Sequence, residues 1–412
     1  MKNLNKNKDN SINNIRSIIY KLLEINNGIL RLKPTWVARE NCSSGKRLGL
    51  QEDEYNKGER GEITERWIAS ATKAENRIGP KDEGLSYIYI EDGPSITLKE
   101  AMVYAKDLIL GNEYSLRHND LGILVKVLDY SDRIFFHYHQ MEKDANLVKK
   151  NPKEEAYYFP CGISLGAHPE TFFGFHPYIA QQKKLILSYL IDWNSDLILK
   201  HSRAYLQTVD DGFHVPPGIP HAPGTALTIE IQQPSDVYGN LQALYKGKIM
   251  SKDTLFRDIR DMDRRTFGEE IVISQIDWER SCDPYFYENR HIPPILIEKS
   301  RQQGGEEYWV FYNSKNFSGK RLIVYPGESY YSKESGAYVV FVWRGEGTFD
   351  GHFVKAGTYN YDELIISYER AIKLHEIKNK SSENLEIFKF FGPVVNKDAP
   401  VLHLYNNSNV SK

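Results

Sequence analysis

The chain has little cysteine, and its first residues do not have the pattern of a secretory signal. Its 412 residues include only three cysteines, Cys42, Cys161 and Cys282, and their spacing fits neither a disulfide framework nor a zinc finger. Reduced, unpaired thiols are typical of a cytosolic protein. The first residues are polar and lack the apolar stretch, followed by small side chains, that marks a secretory signal. We therefore expect a cytoplasmic location.

The sequence also lacks a strong charge bias and long apolar runs. Its 53 basic and 55 acidic residues leave a formal net charge of -2, which gives no general attraction to nucleic acid or to a membrane surface. No apolar run approaches the roughly 20 residues that span a bilayer. We expect neither nucleic acid nor a membrane as a partner, and specificity must come from a defined site.

Short runs of β-branched and aromatic residues dominate what is present. They predict strands at 121–128, 133–139, 155–159, 204–207, 212–215 and 227–232. A second block of such runs begins near Tyr308 and includes the Gly-rich turn at 344–347. Closely spaced strands broken by Gly, Pro and Asp are typical of an antiparallel sandwich or barrel.

Helical patterns separate these strand-rich blocks. Thr97 with Glu100 three residues later predicts a capping box at the start of a helix over 97–110. Apolar spacing predicts a helix at 15–25 and a helical insertion near 179–198. We predict four parts: an N-terminal segment with a helix that partly completes the first barrel (1–110), a metal-binding barrel (111–245), a helical connector (246–300) and a second, metal-free barrel-like domain (301–412).

The most informative pattern is a pair of histidines, His137 and His139, followed later by His221 behind a Pro-Gly turn. Side chains two residues apart on a strand point to the same face. A half-exposed strand would also produce the pair, so the third histidine carries the prediction. Several imidazoles with a carboxylate suit a divalent metal ion. We expect one such ion, with Zn²⁺ favoured and Fe²⁺ or Mn²⁺ as alternatives, in a cupin barrel.

The carboxylate ligand is less directly indicated. Glu142 follows the histidine pair too closely, whereas Glu155 opens the next predicted strand. Adjacent residues on a strand point to opposite faces, so Glu154 would point away if Glu155 points inward. We therefore favour Glu155, and we expect His214 to be a structural neighbour of the site.

With these residues in hand, the chain resembles the class I mannose-6-phosphate isomerases, a family of metal-dependent cupin enzymes. The resemblance covers most of 65–236, and its segments are 65–70, 122–129, 153–158, 221–224 and 228–236. It implies a mainly β fold with two cupin (jelly-roll) barrels, helical insertions and a metal site in the first barrel only.

The resemblance also implies roles for individual residues. The implied metal ligands are His137, His139, Glu155 and His221. Lys153 matches an active-site lysine, with roles in catalysis and substrate binding, and Lys126 matches a substrate-binding lysine. Glu230 lies where the family has an acidic residue that takes part in proton transfer. Without the resemblance, Glu230 reads equally well as a paired strand residue and Lys153 as a solvated loop charge.

Two positions depart from the family. Asn240 stands where the family has an arginine, and Phe135 stands where it has a serine. Both missing groups are associated with stabilising charge or holding phosphate. Arg203 and Arg66 are candidates to supply a guanidinium instead. These departures put a phosphorylated substrate in question, so we expect either mannose 6-phosphate and fructose 6-phosphate or a related aldose, with or without phosphate.

The implied activity is aldose–ketose isomerisation through an enediol, which needs a base and stabilisation of a developing oxyanion. The predicted partner is a small sugar or sugar phosphate, and the predicted state is a monomer or a homodimer. Two alternatives stay open. One is another cupin reaction, such as epimerisation or oxygen-dependent cleavage, and the other is a non-catalytic carbohydrate-binding protein.

Overall fold

The computed structural model describes residues 2–406 of the chain, and the side chains of 14–406. The fold is mainly antiparallel β-sheet with helices between the strands, so the prediction of a mainly β protein is confirmed. No helix within 2–406 combines the length and the apolar character needed to cross a membrane.

The chain forms two compact units, each built from separated segments. The first unit comprises Met1–Val37, Glu65–Val127 and Pro294–Val401, and the second comprises Ala38–Thr64, Leu128–Pro293 and Leu402–Lys412. The chain passes from one unit to the other within three strands, Thr35–Arg39, Glu62–Ile68 and Leu124–Leu128. Most of the predicted connector over 246–300 belongs to the second unit.

The first unit contains two antiparallel sheets. Eight strands form the larger sheet, in the order Ile295–Leu296, Gly305–Phe311, Ser318–Val324, Leu385–Phe391, Tyr338–Arg344, Glu363–Ile366, Ile29–Lys33 and Tyr87–Ile88. Four strands form the smaller sheet, in the order Ser329–Ser332, His375–Asn379, Glu346–Phe349 and His352–Lys355. Their apolar side chains share one core that includes Val340, Leu364 and Ile387.

The first unit has three helices in its N-terminal segments and two short helical turns in its C-terminal segment. The α-helices are Lys2–Ile25, Leu98–Leu110, Asn112–Arg117 and Tyr368–Ala371, with a 3₁₀ turn at Glu298–Gln302. The predicted capping box is formed: Thr97 Oγ1 accepts from Glu100 N at 3.1 Å and Glu100 Oε2 accepts from Thr97 N at 2.9 Å. The first helix begins at Lys2, well before the predicted start at 15.

The second unit carries the paired histidines. Five strands form one sheet, in the order Gly239–Asn240, His137–Tyr138, His221–Ala222, Glu170–Phe173 and Arg203–Leu206. A further run of strands has the order Asp211–Val215, Glu155–Phe159 and Thr228–Gln232, and Leu244–Tyr245 pairs with Lys248–Ile249. Phe136 and Tyr138 are fully buried in a core cluster. Because side chains alternate along a strand, His137 and His139 point to the opposite face.

Helices of the second unit are short. The insertion predicted near 179–198 contains the helix Lys183–Asp192 between 3₁₀ turns at Pro177–Gln181 and Leu197–His201. Other 3₁₀ turns lie at Glu52–Glu54, Gly58–Arg60, Asn146–Val148 and Lys252–Thr254. The remaining helices are Glu142–Ala145, Asp261–Phe267, Glu270–Gln275, Trp278–Ser281 and Phe286–Arg290.

Candidate metal centre

The structure brings the three predicted histidines together. One nitrogen each from His137, His139 and His221 lies within 4.8 Å of the others. His221 is the direct partner of His137 in the antiparallel ladder, and their ring centroids are 4.3 Å apart. Among residues 14–406, this is the one group of three or more His, Cys, Asp or Glu side chains arranged to hold a metal ion.

Backbone carbonyls orient all three rings. The Nδ1 atoms of His137, His139 and His221 donate to the carbonyl oxygens of Phe135, Val237 and Ile219, at 2.8, 2.6 and 2.9 Å. This bond places the proton on Nδ1 and leaves the lone pair on Nε2, which is the form that binds a metal ion. The rings therefore have the tautomer and the mutual approach that fit a divalent cation.

A Pro-Gly turn delivers His221 to the site. Gly218 has φ +84°, a conformation that side chains other than glycine rarely adopt. Its N–H donates to the carbonyl of His139 at 2.7 Å. A Cβ added at this position would lie 2.9 Å from Asp277 Cβ. The turn is thus hydrogen-bonded directly to His139, the residue that follows the strand His137–Tyr138.

Glu155 lies against two of the histidines. Its carboxylate oxygens are 3.0 Å from His221 Nε2 and 3.3 Å from His139 Nε2, and the residue is fully buried. The adjacent Glu154 accepts from His214 Nε2 at 2.7 Å instead. The structure therefore places Glu155, and not Glu154, beside the rings of His139 and His221, and it places His214 against Glu154.

Lys153 is buried beside the same groups, which excludes a solvated loop charge. Its Nζ lies 2.7 Å from Glu155 Oε2, 3.7 Å from Glu230 Oε1 and 3.0 Å from His139 Nε2. Burial alone would lower the pKa of Lys153, but the charges of Glu155 and Glu230 outweigh it and raise the pKa. The lysine is therefore an ammonium ion at neutral pH.

Burial and neighbouring charges also shift the pKa values of His137, His139 and Glu155. Burial lowers the pKa of His139 to about 3, with a further contribution from Lys153, and burial beside His221 and His139 holds the pKa of His137 well below its usual range. Burial would raise the pKa of Glu155, but Lys153 and His139 hold it well below its usual range. The site thus combines neutral imidazoles at His137 and His139 with an ionised carboxylate at Glu155.

Glu230 shares the face that Glu155 occupies. In the ladder, Glu230 is opposite Tyr157 and Gln232 is opposite Glu155, so the period of two along each strand puts these four side chains on one face. The hydroxyl of Tyr157 donates to Glu155 Oε1. The sequence analysis did not predict Tyr157 as a residue of the site. Its position two residues after Glu155 could have indicated it, because side chains two apart on a strand share a face.

Lys126 lies in the first unit. Its Nζ is 3.8 Å from Glu65 Oε2 and 5.0 Å from the centroid of the Trp67 ring. Lys126 is buried. Its role in substrate binding stays a prediction.

Arg66 and Arg203, the two candidates for the missing guanidinium, make contacts away from the histidine cluster. Arg66 makes two hydrogen bonds to Asp362, at 2.7 and 2.8 Å, within the first unit. Arg203 donates to the carbonyl of Ser281 at 2.8 Å and lies 4.7 Å from the Phe286 ring. Neither side chain contacts the histidines.

The fold is that of the mannose-6-phosphate isomerases. The chain is similar to the enzyme from Bacillus subtilis, at 18% identity over 88% of this chain and 99% of that one, with a TM-score of 0.61. It is also similar to a zinc-bound mannose 6-phosphate isomerase, at 13% identity over 89% and 100% of the two chains and a TM-score of 0.61. A mutant of phosphomannose isomerase from Salmonella typhimurium gives 12% identity over 89% and 100%, with a TM-score of 0.62. No protein-family model and no curated protein sequence matches the chain.

Proposed function

We propose that the protein is a metal-dependent aldose–ketose isomerase acting on mannose 6-phosphate and fructose 6-phosphate or on a related sugar. The observation that carries the proposal is the buried cluster of His137, His139 and His221 with Glu155, in a chain that has the fold of mannose-6-phosphate isomerases. Lys153 and Glu230 adjoin this cluster. A cytoplasmic location and a monomeric or homodimeric state remain predictions.

The three Nε2 atoms and the Glu155 carboxylate would hold the metal ion. A bound divalent cation polarises sugar oxygens as a Lewis acid. Zn²⁺ is favoured because imidazole nitrogen and carboxylate oxygen are among its preferred ligands, and Fe²⁺ and Mn²⁺ accept the same set. When His139 serves as a ligand, its Nε2 no longer accepts from Lys153, and the ammonium becomes available to a substrate oxygen.

Glu230 and Lys153 have complementary roles in the proposed reaction. Isomerisation moves a proton between C1 and C2 and a second proton between the attached oxygens. The Glu230 carboxylate takes the carbon-bound proton from one carbon and returns it to the other. Lys153 donates a hydrogen bond to the oxygen on which negative charge develops in the enediolate. Burial of both groups strengthens these interactions because water does not screen them.

We also propose a cupin (jelly-roll) barrel for each of the two strand-rich parts of the chain. The metal site lies only in the barrel predicted over 111–245, and the part over 301–412 is metal-free. Support for the metal-free part comes from the first unit, which contains most of 301–412 and has a buried polar cluster of a different composition. There, Lys389 Nζ lies 2.6 Å from Glu307 Oε1 and 2.9 Å from Glu334 Oε1. Ion-paired lysine and glutamate side chains, not histidines, fill this cluster.

A coupled isomerase assay on phosphorylated and free mannose and fructose, with metal content measured on the same preparation, tests the proposed function. We expect Glu230→Gln to lower kcat by about 10²- to 10⁴-fold without changing metal content. The control is Glu142→Gln, because Glu142 is exposed on the helix Glu142–Ala145. A metal-loaded wild type that converts no sugar refutes the isomerase, and undiminished turnover by Glu230→Gln refutes its role as the base.

A further inference from the structure

Two side chains hold the Glu155 carboxylate, one at each oxygen. The Nζ atom of Lys153 lies 2.7 Å from Oε2, and the hydroxyl of Tyr157 donates to Oε1. Each oxygen also faces one histidine of the cluster, since Oε1 lies 3.0 Å from His221 Nε2 and Oε2 lies 3.3 Å from His139 Nε2. The carboxylate is thus held by one cation and one neutral hydroxyl while it faces two imidazoles.

The position of the Tyr157 hydroxyl is set by its strand and by the packing of its ring. Tyr157 lies two residues after Glu155 on the strand Glu155–Phe159, so the two side chains share a face. The ring is fully buried and stacks on Phe173, with ring centroids 6.2 Å apart. Phe213, the partner of Tyr157 on the neighbouring strand, belongs to the same core cluster. Close packing restricts a buried ring to few orientations, so the core holds the hydroxyl at the carboxylate.

The two donors to Glu155 differ in the tasks that the proposed function gives them. There, the ammonium of Lys153 turns to a substrate oxygen once His139 is a metal ligand. The Tyr157 hydroxyl bonds the other carboxylate oxygen, and this bond uses neither the Lys153 ammonium nor an imidazole lone pair. A carboxylate oxygen has two lone pairs, so Oε1 can accept this bond and still face a cation. A neutral donor also leaves the negative charge of Glu155 to the metal ion, whereas a second cation would compete for it.

We propose that Tyr157 is a positioning residue. Its hydroxyl holds Glu155 in the orientation in which the carboxylate completes the metal centre with the three histidines, and it keeps that orientation when Lys153 turns to the substrate. This inference rests on the proposed function, because it takes the metal centre and the second task of Lys153 from it. Glu155 needs two donors, since one of them has a further role in the reaction.

Tyr157→Phe tests the inference in the protein without sugar, because it removes the hydroxyl and keeps the packed ring. We expect the Kd for Zn²⁺, measured by competition with a chromophoric chelator, to rise about 10- to 100-fold. Tyr158→Phe is the matched control. Tyr158 is the next residue on the strand and is also buried, but its hydroxyl donates to Asp210 Oδ1 at 2.6 Å, so its loss should leave the Kd unchanged. An unchanged Kd in Tyr157→Phe, or an equal rise in both variants, overturns the inference.

Two further measurements distinguish positioning of Glu155 from a general structural role. The visible absorption of a Co²⁺-loaded protein reports the arrangement of the metal ligands, so Tyr157→Phe should change the absorption bands and Tyr158→Phe should not. In a Glu155→Ala background, Tyr157→Phe should leave the Kd for Zn²⁺ unchanged, because the carboxylate through which it acts is absent. Unchanged Co²⁺ bands in Tyr157→Phe, or a further tenfold loss of affinity in the Glu155→Ala background, would contradict action through Glu155.

These measurements also separate the inference from the isomerase itself. Neither Zn²⁺ affinity nor Co²⁺ absorption requires a sugar, so a weakened metal centre in Tyr157→Phe supports the positioning role even if the wild type converts no sugar, a result that refutes the isomerase. If the wild type converts sugar and Tyr157→Phe binds Zn²⁺ as tightly as the wild type does, the proposed function stands and the inference fails.

Discussion

His221 lies directly opposite His137 in the antiparallel ladder, and their ring centroids are 4.3 Å apart. Strand register therefore determines the spacing of two of the three imidazoles. A slip of one residue would turn His221 to the opposite face of the sheet. The hydrogen bond from Gly218 N to the His139 carbonyl ties the preceding turn to the same histidine strand.

We expect His221→Ala to abolish tight Zn²⁺ binding, because it removes one of the three convergent nitrogens. In the wild type, Zn²⁺ at 100 times its Kd should raise the free energy of unfolding by about 2.7 kcal/mol, and the variant should show no such gain. Thermal melting with and without Zn²⁺, together with metal analysis after dialysis, measures both effects. His214→Ala is the control, since His214 bonds Glu154 outside the cluster. One retained equivalent of Zn²⁺ in His221→Ala would contradict the assignment.

Glu155→Gln should destabilise the metal-free protein by about 3–5 kcal/mol, because it leaves the buried Lys153 ammonium without its nearest carboxylate. Glu154→Gln should cost less than about 1 kcal/mol, since an amide oxygen still accepts from His214. Urea denaturation of the three proteins in the presence of a chelator compares them. Equal stability of Glu155→Gln and the wild type would show that Lys153 does not depend on this pair.

Lys389→Met should also be costly, although it lies in the other unit. Lys389 is completely buried and contacts Glu307, Ser332 and Glu334 at 2.6, 2.7 and 2.9 Å. Removing the ammonium leaves buried carboxylates without this partner and should lower the free energy of unfolding by about 3–5 kcal/mol. Lys373→Met, in an exposed pair with Glu369, should change it by less than about 0.5 kcal/mol. Similar midpoints for the two variants in urea would refute this difference.

Acid should weaken the first unit through His375. Burial lowers the pKa of His375 to about 4, and its Nε2 accepts from the Tyr338 hydroxyl at 2.8 Å. The unfolded chain takes up a proton near pH 6.5, whereas the folded chain resists it until about pH 4. The stability that His375 contributes is therefore present above pH 6.5 and is lost as the pH falls towards 4, by about 3 kcal/mol.

The difference in stability between the wild type and His375→Gln, measured by urea denaturation from pH 7 to 4, isolates this contribution. The comparison is needed because Glu363 acts in the opposite sense: burial raises its pKa to about 7, so its contribution is lost as the pH rises from its unfolded pKa towards 7. A difference that stays constant across the range would contradict the assignment to His375.

Periodicity along single strands predicted much of the candidate site. The pair His137 and His139 and the choice of Glu155 over Glu154 both follow from the alternation of side chains on a strand. The position of Lys153 does not, because it precedes the strand and its Nζ reaches the cluster through a long, flexible side chain.

The ends of strands and helices were less predictable where a side chain, and not another backbone group, is the hydrogen-bond partner of the backbone. The strand predicted at 133–139 contains only His137–Tyr138, because the Phe136 N–H donates to the side chain of Gln242 at 2.9 Å. Ser251, near the start of the predicted helical connector, caps a 3₁₀ turn at Lys252–Thr254. Gly268, with φ +54°, then ends the helix Asp261–Phe267. The connector is therefore a series of short helices.

The second unit is built from segments that are far apart in the chain, so the ribosome completes them at different times. Asn289 Nδ2 donates to the carbonyl of Tyr405 at 3.1 Å, and Tyr405 N donates back to Asn289 Oδ1 at 2.6 Å. The strands with His137, His139 and His221 leave the ribosome long before Tyr405 is added. The second unit therefore acquires its contacts between Asn289 and Tyr405 only after the synthesis of a further 116 residues beyond Asn289, so a nascent chain stalled before Tyr405 would hold that unit without them.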